Sequence, residues 1–171
     1  MSFFYRGRSG RVAERSPAML RLATTTALAA YPAGALLMVL SPESGSPAAV
    51  WGDIAGLALI VIALLAVATF AASRQQRIAG EEQNKLDEFE LALRLRARGF
   101  AYNVFTALVL IGVVYLSIAS DVNASGRADL WVPQGYDHWN GVFWGILLYA
   151  FVLPTAWLSW TLPAPPPGDE A

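Results

Sequence analysis

The sequence predicts an all-α integral membrane protein, a four-helix bundle whose third span continues into a cytoplasmic helix. Four apolar stretches each approach the ~20 residues that a helix needs to cross a bilayer core of ~30 Å. The 171-residue chain is 56% hydrophobic and 15% charged, whereas soluble domains carry about 25% charged residues. Since lipid offers no hydrogen-bond partners, each spanning stretch is expected to be a helix that satisfies its own backbone.

Composition also limits the function classes. The chain has no cysteine, which excludes disulfides, thiolate nucleophiles and cysteine metal sites. The net charge is -1 and the basic residues lie beside the spans, so no continuous basic surface favours nucleic acid as a partner. His138 is the only histidine, and one chain could not supply both axial ligands of a b-type haem. We expect one membrane domain over residues 1–171 and no cofactor.

The first span is predicted over residues 19–40. Four arginines precede residue 16, and the uncharged run from residue 22 to 40 is longer than the roughly 7–15 apolar residues of a cleavable signal peptide. The span is therefore expected to be retained. Arg21, just inside it, is expected to extend its guanidinium back to the headgroups.

The second span is predicted over residues 50–72, after a short loop that contains Pro42, Gly45 and Pro47. Asp53 falls in the predicted first turn, where its charge would meet the positive end of the helix dipole. An ion-binding carboxylate is the alternative interpretation of Asp53.

Residues 73–98 are the most polar segment. The first part, with Gly80, is predicted to be a turn, and residues 81–98 a cytoplasmic helix. Leu86, Phe89, Leu93 and Ala97 recur at three-then-four spacing, which places them in one apolar stripe. Glu90 precedes Arg94 at the i, i+4 separation that favours exposed helices.

The third span is predicted over residues 100–120 and opens with Tyr102 and Asn103. Only Gly99 interrupts the polar helix before it, and a single glycine is tolerated, so both parts are expected to form one helix of almost forty residues. The fourth span is predicted over residues 141–162, with tryptophans near both ends and a kink at Pro154.

Charge predicts the orientation. Six of the basic residues lie between spans two and three and four before span one, against one between spans three and four and none after span four. By the positive-inside rule both chain termini and the long helix lie in the cytoplasm. Together with an alanine-rich, lysine-poor composition, this predicts a multi-pass protein of a bacterial inner membrane.

Two small-residue pairs and one polar cluster remain. Gly52 with Gly56, and Gly141 with Gly145, are GxxxG pairs, which serve helix packing within a monomer or a dimer seam. Asp137 and His138 precede span four. A helix start capped by Asp137 is favoured there over a metal or proton site.

The run Leu86-Asp87-Glu88-Phe89-Glu90, followed by a long span, resembles an LDEFE-type juxtamembrane element. The element occurs in a group of small, uncharacterised four-span bacterial inner-membrane proteins. This chain departs from the group in residues 92–98, which are rich in arginine. The resemblance implies a four-helix inner-membrane protein and brings no catalytic residue.

The leading hypothesis is a non-catalytic accessory or scaffold subunit that offers Leu86, Phe89 and Leu93 to a protein partner or to its own copy. The same stripe could instead pack on its own chain or lie along headgroups. No acid or base lies deep in a predicted span, which disfavours a proton-coupled transporter, and no serine, histidine and acid set indicates an enzyme.

The second hypothesis is a small-solute or ion transporter or channel, formed by the bundle or by an oligomer of it. Asp53, Tyr102 and Asn103 would be its polar lining. In both hypotheses the chain's first partner is the lipid bilayer.

Overall fold

The computed structural model describes residues 16–41, 46–80 and 86–162, and these ranges contain helices and no strand. Four helices are long and apolar enough to cross a membrane, which confirms the predicted all-helical class. The helices are α1 Pro17–Leu40, α2 Pro47–Phe70, α3 Arg74–Gly80, α4 Glu88–Ala124 and α5 Tyr136–Thr161.

Helices α1 and α2 begin with the same Ser-Pro signal. The side chains of Ser16 and Ser46 accept hydrogen bonds from the backbone N–H three residues later, at 3.2 and 3.1 Å. Pro17 and Pro47 occupy the first helical position, where a missing N–H costs nothing. Both helices therefore start two or three residues before the predicted spans.

This earlier start moves Asp53 out of the first turn. It lies six residues after the start of α2 and is exposed, so the prediction of a first-turn position is wrong. Ser46 takes the capping role instead.

Residues 74–80 form a helix where the sequence predicts a turn. The Ser73 hydroxyl accepts a hydrogen bond from the backbone N–H of Gln76 at 3.2 Å, and Ile78 is fully buried. A seven-residue helix is marginal by itself. It forms because Ile78 packs between α4 and α5 against Ala97 and Leu158.

Helix α4 runs without a break through 37 residues, about 55 Å at the standard rise, as the lack of a breaker predicts. Its N-cap is Asp87, whose carboxylate accepts a hydrogen bond from the Glu90 N–H at 2.6 Å. Leu86 therefore precedes the helix. The predicted residues 81–85 lie outside the described ranges.

Helix α4 ends in a Schellman motif. Gly126 has a positive φ of 67°, its N–H donates to the carbonyl of Asn123 at 3.1 Å, and the Arg127 N–H donates to that of Val122 at 3.2 Å. Glycine is favoured at this position because a left-handed backbone crowds any Cβ.

Helix α5 begins at Tyr136, five residues before the predicted span, and Gly135 is its N-cap. Gly135 offers no side-chain cap, and Asp137 lies within the first turn. The predicted capping role of Asp137 is therefore wrong. Its carboxylate still lies where the helix dipole favours negative charge.

The four long helices pack in a row. Helix α1 packs on α2 and on α5, α5 also packs on α4, and α3 packs against α4 and α5, while no extensive contact joins α2 to α4 in the described ranges. The outer helices of the row are therefore α2 and α4, and they do not pack extensively on each other to close it.

The α1–α2 contact depends on glycine. A Cβ built on Gly34 would lie 2.6 Å from the backbone oxygen of Gly56, and one built on Gly56 would lie 2.7 Å from that of Gly34. On the other side of α1, a Cβ on Gly145 would lie 3.0 Å from the Tyr31 ring. A Cβ on Gly52 would likewise meet the Ser41 side chain, so both glycines of the first predicted GxxxG pair and Gly145 of the second pack within the monomer.

Two tyrosines join α1 to α5. Pro32 has no N–H, which leaves the carbonyl of Leu28 without its helical donor, and the Tyr149 hydroxyl donates to that carbonyl at 2.7 Å. In the reverse direction, the Tyr31 hydroxyl donates to the Gly141 carbonyl at 2.7 Å. Such bonds matter in lipid because no water is present to replace them.

Candidate functional site at the basic end

Charge and packing are both concentrated at one end of the row. We call it the basic end, and it holds Arg21, Arg74, Arg77, Arg94, Arg96 and Arg98. Five helices meet there: the start of α1, the end of α2, all of α3, the start of α4 and the end of α5. Side chains from α1, α3, α4 and α5 form hydrogen bonds between helices there.

Arg21 joins α1 to the end of α5. Its Nε donates to the backbone carbonyl of Ser159 at 3.0 Å, and its guanidinium lies 5.3 Å from the centre of the Trp160 ring. The last carbonyls of a helix lack intrahelical donors and carry partial negative charge. Arg21 thus caps α5, where the sequence predicts only contact with headgroups.

An ion pair between the buried Glu90 carboxylate and two partly exposed arginines fixes α3 to α4. The Glu90 carboxylate lies 2.6 Å from an Nη atom of Arg77 and 3.4 Å from one of Arg74. The sequence predicts a pair between Glu90 and Arg94, but Glu90 is directed across to α3. Burial lowers the pKa of the Arg94 guanidinium, and the nearby positive charge of Arg98 lowers it further.

The packed face of α4 differs from the predicted stripe. Its buried residues at this end are Glu90, Arg94, Ala97 and Ala101. Ala97 belongs to the predicted stripe and is buried, whereas Glu90 and Arg94 lie one residue beyond Phe89 and Leu93. One residue corresponds to about 100° around a helix. The sequence could not reveal the burial of Glu90 and Arg94 because charged residues are rarely buried unless they are paired.

The other three residues of the predicted stripe lie in different surroundings. Leu93 is half-buried and packs on the cluster of Ile78, Ala97 and Leu158. Leu86 is half-buried before the helix start. Phe89 is 65% exposed, so it is the stripe residue that remains largely uncovered.

A cleft opens between α4 and α5 below α3, with a volume of about 340 Å³. Its polar lining residues are Gln76, Arg98 and Tyr102, and its apolar walls include Phe105 and Phe151. Pro154 lines it too, and proline cannot donate to the carbonyl of the residue four positions earlier. We call this feature the basic-end cleft.

Two side-chain bonds shape the cleft. The Thr155 hydroxyl donates to the Gln76 side-chain oxygen, and both residues are buried. An Nη atom of Arg98 donates to the Ala79 carbonyl at 3.2 Å, near the end of α3, where carbonyls lack helical donors. The guanidinium of Arg98 is thus held at the cleft.

The predicted polar lining is not brought together within one chain. Tyr102 and Asn103 are exposed on α4, and Tyr102 borders the basic-end cleft. Asp53 lies on α2, at the opposite edge of the row and near the opposite end.

The opposite end has its own polar surface, which includes Asp129, Trp131 and His138. The Nδ1 atom of His138 accepts a hydrogen bond from the backbone N–H of Gln134 at 3.2 Å. Among the described residues, no three histidine, cysteine or acidic side chains gather as metal ligands would. The segment is instead fixed by Asn123, whose side chain bonds to both the N–H and the carbonyl of Leu130.

Comparison with known proteins finds no match for this chain among protein families, curated proteins or solved structures.

Proposed function

We propose that the chain is a multi-pass membrane protein that acts as a non-catalytic accessory or scaffold subunit, with the start of α4 as its docking element for another protein. The observation that carries the proposal is the exposure of Phe89 on a helix that is fixed along its other face. A fixed helix presents its exposed side chains without the entropy cost of ordering a flexible segment.

Lipid is a poor explanation for that exposure. Phe89 precedes Phe100, near the predicted start of the span, by eleven residues, about 16 Å along a helix. The headgroup layer extends only about 5–8 Å beyond the hydrocarbon core. An upright α4 therefore carries Phe89 past the headgroups, where an exposed aromatic side chain favours contact with a protein.

The proposed orientation follows from charge. The basic end would face the cytoplasm of a bacterial inner membrane, because arginine and lysine next to spans favour the cytoplasmic side. The opposite end holds Asp53, Asp121, Asp129 and Asp137 with only Arg127 as a described basic residue, which agrees with an external surface.

The transporter or channel hypothesis receives less support. Asp53 and Tyr102 lie on helices that make no extensive contact in the described ranges, so a pathway lined by both would need several copies of the chain. Flux into proteoliposomes that falls in both Asp53→Asn and Tyr102→Phe would favour this second function.

A photocrosslinking experiment tests the docking proposal. A photoreactive amino acid replaces Phe89 in native membranes. The matched control positions are Ala97, which is fully buried, and Leu110, which is 59% exposed in the spanning part of α4. We expect protein adducts from position 89 alone. An adduct of twice the chain mass identifies a second copy, and other masses identify a different protein. Only monomer at position 89 contradicts the proposal.

A further inference from the structure

We propose that the basic-end cleft is a binding site for one anionic phospholipid, with Arg98 as the principal ligand of the lipid phosphate. This inference goes beyond the docking function and does not depend on it. It requires only that the chain lies in a bilayer.

The charge of Arg98 is available to a ligand. A guanidinium has five N–H donors, and Arg98 uses one of them for the Ala79 carbonyl. In the described ranges, Glu90 supplies the carboxylate of the ion pairs, and its partners are Arg74 and Arg77. The charge of Arg98 is therefore not neutralised by a described carboxylate.

The polar part of the cleft lining offers hydrogen-bond donors. Gln76 and Tyr102 also line the cleft, and both carry hydrogen-bond donors. The Gln76 oxygen already accepts from Thr155, which leaves its amide N–H groups as the donors for a ligand. No aspartate or glutamate is among the lining residues. A set of donors with one unbalanced cation suits an anion, and arginine suits phosphate in particular.

The depth of the lining residues favours a lipid over a soluble phosphate compound. Arg98 lies two residues before Phe100, at the headgroup depth of α4. Phe105 follows Arg98 by seven residues, which places it about 10 Å closer to the bilayer centre. Phe105 and Phe151 form apolar walls in the same cleft, and Phe151 is 44% exposed. Polar donors at headgroup depth above apolar walls at acyl-chain depth match the two parts of a phospholipid. Basic pockets between spanning helices are known to bind such headgroups.

Native mass spectrometry of the purified full chain tests the proposal. The measured quantity is the fraction of protein that retains one phosphatidylglycerol, compared with phosphatidylcholine. We expect Arg98→Gln to weaken phosphatidylglycerol retention about five- to tenfold, from the loss of one cation and its hydrogen bonds. Arg96→Gln is the matched control, because Arg96 is exposed on the same helix and does not line the cleft. We expect it to change retention less than twofold.

A second variant tests the cleft independently, in case Arg98→Gln does not fold. Ala150→Leu places bulk in the cleft, which Ala150 lines, and leaves every charge in place. We expect it to lower phosphatidylglycerol retention as well. Equal losses in Arg98→Gln and Arg96→Gln, or normal retention in Ala150→Leu, would overturn the site. Displacement of the lipid by inorganic phosphate alone would replace the lipid assignment with a soluble anion.

Discussion

Tyr149 shows how a single residue can allow a proline inside a long apolar helix. Pro32 leaves the Leu28 carbonyl without its helical donor, and a hydroxyl from the neighbouring helix bonds to it. Tyr149 is thus both a packing residue and a substitute for a missing backbone donor. The sequence shows both residues, but only the antiparallel register of α1 and α5 places them together.

We expect Tyr149→Phe to lower the free energy of unfolding by about 1 kcal/mol, the size of an interhelical hydrogen bond in a membrane protein. The measurement is unfolding of the purified protein in detergent. Tyr136→Phe is the matched control, since Tyr136 is 80% exposed.

A double-mutant cycle makes the test specific. In a Pro32→Ala background the Leu28 carbonyl regains its helical donor, so Tyr149→Phe should cost less than it does in the original chain. An equal cost in both backgrounds would show that the hydroxyl does not compensate for the proline.

Glu90 is the second residue whose role depends on its neighbours. Removal of one partner from a buried ion pair costs roughly 3–5 kcal/mol. Since Arg74 is mostly exposed and Arg77 partly so, we expect Glu90→Gln to cost about 2 kcal/mol, below that range because of solvent screening. Glu88→Gln, on the exposed side of the same turn, should change stability by less than about 0.5 kcal/mol. The same detergent unfolding assay measures both, and equal effects would argue against the ion pair.

Among the elements, the long helices were predictable and α3 was not. Apolar length identified α1, α2, α4 and α5 to within five residues at most ends, because lipid requires about 20 apolar residues regardless of packing. Helix α3 carries no such signal. Its Ile78 and Gln76 gain their partners from α4 and α5, which no local pattern in residues 74–80 reveals.

The contact between α1 and α2 gives an element-scale prediction. We expect Gly34→Ala to lower the free energy of unfolding by about 1–3 kcal/mol, the usual cost of overpacking. The reason is that its Cβ would meet the Gly56 backbone. Gly112→Ala is the matched control. Its Cβ meets nothing within 4 Å, and alanine favours the helix by up to about 1 kcal/mol. Thermal unfolding in detergent distinguishes them, and a Gly34→Ala chain as stable as Gly112→Ala would contradict the close contact.

At the scale of the molecule, the row of helices explains why packing is uneven. The basic end holds the Arg21, Glu90 and Arg98 contacts. By contrast, between Ala101 and Ala119 the spanning part of α4 buries no residue. The sequence predicted the charged end from its arginines but not the cleft, because the cleft forms only where α3 folds back over α4 and α5.

The most direct test of the account is which side of the membrane each end occupies. The chain has no cysteine, so single cysteines at Glu88 and Asp129, both exposed, report independently. In intact cells we predict that a membrane-impermeant maleimide labels Asp129→Cys and leaves Glu88→Cys unlabelled until the membrane is opened. Equal labelling of both positions in intact cells, or release of the chain from membranes by alkaline carbonate, would contradict the membrane-spanning arrangement.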